Sequence, residues 1–250
     1  MPLYGLIGFP LSHSFSKGYF TEKFIKEQLL NYRYENFPLE EINLLPSIIE
    51  QNPDLLGFNV TIPYKEKVFD FVHEVDPEAQ KIGAINTIKI FRTSKTFHLK
   101  GYNTDIYGFT ESIKPLLHQQ HKSALILGTG GASKAIKAAF EQLQIKYQVV
   151  SRSKIVKSLL YTDLTKSIIE EHTIIVNCTP SGTFPNIDEY PPIPYKYLNS
   201  NHLLYDLVYN PSVTAFLKKG SLQNAQTING LSMLHLQAEK AWEIWNSNNL

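Results

Sequence analysis

The sequence predicts an α/β protein built as two α/β units, and three observations carry that prediction. From Asp105 onward, short apolar runs alternate with helix-like segments, the signature of a mostly parallel sheet with helices between its strands. Gly128, Gly130 and Gly131 stand where one apolar run gives way to helix-formers. Before Asp105 the rhythm differs and includes a hairpin-like pair of strands. The 250 residues are enough for one large domain or two small ones, and the change of rhythm divides them near residue 104.

In chain order, "YGLIGF" (Tyr4 to Phe9) reads as a buried strand. "SFSKGYFTEKFIKEQLL" comes next, with Phe15, Tyr19, Phe20, Phe24 and Leu29 near helical spacing. "YRYENF" and "GFNVTI" (Gly57 to Ile62) read as strands, the second closed by Pro63. "GAINTIKIF" and "TFHLKGYNT" flank the polar "RTSK" and predict a hairpin. The spacing then predicts a helix from about Asp105 to Leu117. The strand "SALILG", the glycine loop, the helix "ASKAIKAAFEQL" and the strand "YQVV" succeed it. "TIIVNCT", "LLYDLVY" and "QTING" read as later strands. The final "LSMLHLQAEKAWEIW" returns to helical periodicity with Leu234, Ala238, Ala241, Trp242 and Trp245 on one face.

Composition narrows the function classes. A formal net charge of +1 offers no electrostatic case for nucleic acid or an anionic membrane. The single cysteine, Cys178, excludes an internal disulfide and a cysteine-cluster metal site. No apolar run approaches the roughly 18 residues of a membrane helix, and the first residues lack the charge and length of a secretory signal. The expectation is a cytoplasmic protein that needs no metal.

"ILGTGGASKA" poses the central question of chemistry. A first glycine can make the tight turn and a second can admit a pyrophosphate to the backbone, with the next helix offering free N–H groups and its positive dipole end. The loop departs from the strict G-x-G-x-x-G pattern, because Ser133 takes the third position. Taken alone, the glycines fit a ligand-free turn equally well. The end of the next strand shifts the balance: where an NAD site places an acid for the ribose hydroxyls, this chain has Ser151, Arg152 and Ser153. A guanidinium between hydroxyls suits a 2′-phosphate and favours NADP.

The first unit carries polar clusters near strand ends. Ser14 and Ser16 come just after the first strand, and either serine could simply cap the helix. Asn59 and Thr61, two apart, share a face if the segment is extended. Lys65 stands at the mouth of the next helix, where a cation opposes the dipole. Asn86, Asn103, Thr104 and Asp105 complete the inventory, Asp105 with an alternative role as a helix cap. Amides, hydroxyls, one ammonium and one carboxylate suit a small polyhydroxylated substrate. The inventory lacks a histidine cluster for a metal and stacking aromatics for a nucleic acid.

"SHSFS", "NVTIPYK", "GAINT", "GYNTD", "GTGGASKA", "SRS", "NCTPSG" and "NGLSMLHLQAEKAW" together resemble the shikimate dehydrogenase family over nearly the whole chain. "NVTIPYK" and "GYNTD" are the specific motifs; the glycine loop is not. The resemblance implies an N-terminal α/β substrate domain (1–104, completed by 231–250) and a Rossmann-like NADP-binding domain (105–230), with the C-terminal helix returning to the first. It implies reversible NADPH-dependent reduction of 3-dehydroshikimate to shikimate, in aromatic amino acid biosynthesis, by a monomer or homodimer. Carried over by motif, Lys65 and Asp105 are the catalytic pair. Ser14, Ser16, Asn59, Thr61, Asn86 and Gln237 hold the substrate, with Tyr209 beside it. Gly128, Gly130, Gly131, Ala132, Ser151, Arg152 and Ser153 hold NADP, and Thr179 and Gly230 lie near its nicotinamide end. The chain departs from the family where Ser16 is succeeded by "KGYFTEKF" rather than Pro and a later His-Asn, and where Ser-Arg-Ser replaces the common Asn-Arg-Thr.

The chemistry is consistent with that pair. Hydride transfer to a ketone builds negative charge on its oxygen, which a positioned ammonium neutralises and then protonates. The oxidative direction needs Lys65 neutral and is favoured by alkaline pH. Two other readings are a quinate- or aminated-acid-specific relative with the same chemistry, and a non-catalytic NADP-binding sensor. Retention of Lys65 and Asp105 argues against the sensor.

Overall fold

The computed structural model describes residues 1–11, 15–93, 96–154 and 156–247. Two units result: Met1–Thr104 with Ala238–Leu250, and Asp105–Gln237.

The first unit runs β1 (Leu3–Gly8), α1 (Phe15–Lys26), β2 (Arg33–Pro38), α2 (Leu45–Gln51), β3 (Leu55–Val60), β4 (Glu74–Val75), α3 (Pro77–Ile82), β5 (Thr87–Arg92) and β6 (Phe97–Tyr102). Its sheet has the order β2-β1-β3-β5-β6-β4. β1 lies parallel to β2 and β3, while β5 and β6 form the antiparallel hairpin that the sequence predicts. β1 is buried on both faces, and the alternation of its side chains explains why. Leu3 and Ile7 enter a core with Leu39, Leu45, Ile49 and Phe58. Tyr4 and Leu6 enter a second core with Phe20 and Phe24 of α1 and with Ala238, Ala241 and Trp245. α1 ends at Lys26, and Gln28 then takes a positive φ of 59°, so Leu29 lies beyond the helix rather than in it.

The second unit runs α4 (Asp105–Ile113), β7 (Ser123–Leu127), α5 (Gly131–Gln142), β8 (Lys146–Ser151), β9 (Ser158–Leu160), α6 (Lys166–Glu171), β10 (Ile174–Asn177), β11 (Leu203–Asp206), α7 (Ala215–Ser221), β12 (Gln226–Ile228) and the start of α8 (Leu231–Asn246). The sheet order is β12-β11-β10-β7-β8-β9, with every pairing parallel. β10 and β11 are buried along their whole length, as strands covered on both faces require. The order reverses between β7 and β10, which makes the carboxyl ends of these two strands the topological switch point, the place where ligands sit in open α/β sheets. α4 stops four residues short of the predicted Leu117. Pro115 lies in the 3-10 turn Lys114–Leu116 directly after it, where a proline ring excludes a continuing α-helix.

The division between units falls inside α8. At Gly108 of α4, a Cβ would stand 2.6 Å from the Met233 carbonyl oxygen and 3.0 Å from the Gln237 Cβ, so only glycine permits this approach. Further along, Trp245 stacks on Tyr4 at 4.8 Å and its indole nitrogen donates to the Ile88 carbonyl at 3.0 Å. The last helix therefore ends in the first unit's core. Among the described residues no helix is long and apolar enough to cross a membrane.

Candidate active site

The second unit gathers the residues expected to hold the cofactor around its switch point. β7 ends at Leu127, and Gly128 turns the chain with φ at +104°, a conformation that side chains strain to adopt. Its N–H donates to the Val150 carbonyl at 2.9 Å, tying the loop to β8. Gly130 caps α5 without a side-chain partner, and Gly131 begins the helix. A Cβ at either glycine would meet no atom within 4 Å. The space over the helix start is thus open, and a helix N-terminus is an end that favours an anion. Ala132, half-buried, belongs to that same turn. The buried Ser133 hydroxyl donates to the Gly130 carbonyl at 2.7 Å, so the small third residue of the loop secures the turn from within.

Ser151, the last residue of β8, is buried and its hydroxyl accepts the Ser153 N–H at 3.3 Å. Arg152 and Ser153 are exposed. Tyr161 lies close enough to feel the guanidinium's charge. Burial pushes its phenol up to about 12, and Arg152 pulls the other way.

Beyond β10, Thr179 sits beside the glycine loop: a Cβ on Gly128 would touch the Thr179 methyl at 3.0 Å. The Cys178 N–H donates to the Leu127 carbonyl at 2.9 Å, and burial pushes the Cys178 thiol well above its ordinary range. Gly230 is buried and its N–H donates to the Val208 carbonyl at 3.2 Å; a side chain there would collide with the Leu207 carbonyl. Tyr209 is partly exposed, its phenol raised by burial. Gln237 is buried in α8, its amide donating to the Leu234 carbonyl at 3.0 Å. Asp105, buried, opens α4.

In the first unit, a hydrogen-bond network gathers the predicted polar residues. The buried Tyr34 hydroxyl donates to the Asn59 Oδ1 at 2.8 Å, and the Ser16 hydroxyl bonds to the same phenol. Asn59 donates onward to Thr87 at 3.4 Å, and Thr87 donates to the Asn86 Oδ1 at 3.1 Å. Asn86 also accepts the Thr104 N–H at 2.7 Å and donates to the Thr104 hydroxyl at 3.0 Å. Ser16, Asn59 and Asn86 are therefore members of one network. The Asn103 amide donates to the Ala84 carbonyl at 2.9 Å, holding the strand that leads to Asp105. Ser14 lies outside the described residues.

Thr61 and Lys65 occupy the turn after β3 rather than the strand, which ends at Val60. The Thr61 N–H donates to the Ile7 carbonyl at 2.9 Å, and the Lys65 carbonyl accepts the Ile85 N–H at 2.8 Å. Between them the buried Tyr64 hydroxyl donates to the Leu39 carbonyl at 2.6 Å. The helix after Lys65 is a 3-10 helix, Lys67–Phe71, in place of the α-helix its position pointed to. The half-buried Lys65 is held at a defined place by a backbone fixed on both sides.

Tyr34, Asn177, Asp206 and Thr214 do not stand out in the sequence. Asn177 and Asp206 leave a trace there: each is a polar residue ending an otherwise apolar strand, "IIVN" and "LLYD". Tyr34 leaves none, because a tyrosine in "RYENFP" reads as an ordinary strand residue.

Residues 6–88 match the profile of the shikimate dehydrogenase substrate binding domain. Over 262 residues the chain is 37% identical to the shikimate dehydrogenase (NADP(+)) of Methanococcus maripaludis, covering 97% of this chain and 91% of the relative. A crystal structure of shikimate dehydrogenase 1 from Peptoclostridium difficile superposes with a TM-score of 0.83 at 38% identity, covering 100% of this chain and 93% of the other. The Thermus thermophilus enzyme, solved in complex with NADP(H) and shikimate, gives a TM-score of 0.83 at 28% identity, with 98% and 94% covered. This chain belongs to the shikimate dehydrogenase family.

Proposed function

We propose that the chain catalyses the reversible, NADP-dependent interconversion of 3-dehydroshikimate and shikimate, a step of aromatic amino acid biosynthesis. The observation that carries this reading is similarity over 97% of the chain to proteins that bear that activity in their name. The open helix N-terminus at Gly130 and Gly131 and the exposed Arg152 supply a fitting cradle. In the proposed site Gly128, Gly130, Gly131, Ala132, Ser151, Arg152 and Ser153 hold the phosphates and ribose, with Thr179 and Gly230 at the nicotinamide end. NADPH, when bound, supplies the hydride.

The chain's own residues do the rest. The Lys65 ammonium donates a proton to the oxygen as the ketone of 3-dehydroshikimate becomes the alcohol, and takes that proton back in the reverse direction. Asp105 is the second member of the proposed catalytic pair. Ser14, Ser16, Asn59, Thr61, Asn86 and Gln237 bind the hydroxyls and carboxylate, and Tyr209 lies beside them. The reading includes a cytoplasmic location and a monomer or homodimer.

The test is a substrate panel on the purified protein at alkaline pH, monitored at the nicotinamide absorbance band. Shikimate with NADP should give the highest kcat/KM, ahead of quinate and of either substrate with NAD. Faster oxidation of quinate would move the chain to the quinate-specific branch of the same chemistry, and no turnover of either would leave the sensor reading.

A further inference from the structure

β10 and β11 are apolar strands that each end in a fully buried polar residue, and the two residues, Asn177 and Asp206, face each other in register. A buried carboxylate is an expensive group to keep unless something uses it. Asp206 accepts three neutral donors: the Asn177 amide at 2.9 Å, the Val208 N–H at 3.0 Å and the Thr214 hydroxyl at 2.6 Å. An ionised carboxylate only accepts, so it forces the Asn177 NH2 toward itself and the Asn177 carbonyl oxygen the other way. That oxygen accepts both the Thr179 N–H at 3.0 Å and the Thr179 hydroxyl at 2.6 Å. With its proton committed, the Thr179 hydroxyl is left to accept the Ser181 N–H at 3.3 Å. The Asn177 amide also donates to the Ser181 carbonyl at 3.4 Å. The Asp206 carboxylate, the Thr179 N–H and the Ser181 carbonyl together hold Asn177 in one orientation, and the loop 178–182 that this relay fixes packs against Gly128 at the switch point.

We propose that Asp206 is a positioning residue for the nicotinamide end of the cofactor, acting through Asn177 on Thr179 and its loop. The proposal rests on the reading that this unit binds NADP. An asparagine at 206 would keep one oxygen for the Val208 N–H and the Asn177 amide, but its NH2 would face the Thr214 hydroxyl, which now donates to the carboxylate, and the bond that anchors Asn177 would lose its charge assistance. Only a carboxylate accepts from all three donors at once. The phosphate-binding parts, at the start of α5 and at Arg152, follow β7 and β8 rather than β10 and β11.

That separation makes the test. 2′,5′-ADP carries the groups that the glycine loop and Arg152 would meet and lacks the nicotinamide. Titrations of wild type, Asp206→Asn and Asp206→Ala with 2′,5′-ADP and with NADP, together with kcat and KM for shikimate, separate positioning from mere folding. The expected result is unchanged 2′,5′-ADP affinity in the variants, weaker NADP binding, and a kcat lower by about 10-fold to 100-fold, the scale of a small misplacement of reacting groups. Asp206→Asn is the deciding variant if Asp206→Ala does not fold. Unchanged NADP affinity and kcat in Asp206→Asn, or parallel loss of both ligands, would overturn the proposal while leaving the cofactor reading intact. Wild-type protein that binds neither ligand would overturn the cofactor reading and this proposal with it.

Discussion

At the scale of single residues, the proposed site puts cofactor choice at the end of β8 rather than in the glycine loop. Gly128, Gly130 and Gly131 would serve groups that NAD and NADP share, whereas Arg152 and Ser153 are exposed just past the strand end. Arg152→Ala should therefore weaken NADP more than NAD, by roughly 1.5–3 kcal/mol for a lost charge-assisted hydrogen bond. Fluorescence titration with both cofactors checks it, and equal losses would remove Arg152 from the recognition. Much of this is legible in the sequence, because spacing from a glycine loop is a local property. The residues behind the site are not. Tyr34 joins Ser16 to Asn59 through partners 18 and 25 positions away in the chain, a juxtaposition set by sheet order that no local pattern encodes.

Among the elements, the strands are readable because burial on one or both faces imposes a pattern of side chains, and the β5–β6 hairpin because a polar turn separates two such patterns. α2 and α3, at 7 and 6 residues, are too short to show helical periodicity, and α3 is marked only by its ends, with Asp76 as cap, Pro77 opening it and Gly83 closing it at a φ of 70°. α8 is readable, and its energetics are set by its last turns. Trp245 is buried against Tyr4 and Phe20 and bonds the Ile88 carbonyl, so Trp245→Ala should cost about 3–5 kcal/mol of stability, read from urea unfolding. The β10–β11 pair makes a different prediction. Burial pushes the Asp206 carboxyl up to about 6 against the pull of Thr214, Val208 and Asn177. The folded protein then holds this proton more tightly than the unfolded chain, whose aspartates titrate near roughly 3.9. The resulting stabilisation is fully present below about pH 4 and lost as pH rises through about 6. Urea titrations should show the stability of wild type minus that of Asp206→Asn falling by about 1–3 kcal/mol between about pH 4 and pH 7. A difference that grows with pH would contradict the assignment.

For the whole molecule, the sequence shows two rhythms, and the chain separates into two units with a parallel second sheet. What composition and periodicity cannot supply is the substrate: a set of amides and hydroxyls fits many small polar acids, and only the motif resemblance names one. The central claim is that this set works around Lys65. The most direct measurement is the steady-state rate of NADP-dependent shikimate oxidation by wild type and Lys65→Ala, with folding of both checked by circular dichroism. Wild type should turn over, and Lys65→Ala should lose roughly 10²–10⁴-fold in kcat with a smaller change in KM. A folded Lys65→Ala variant that keeps most of its turnover would contradict the claim.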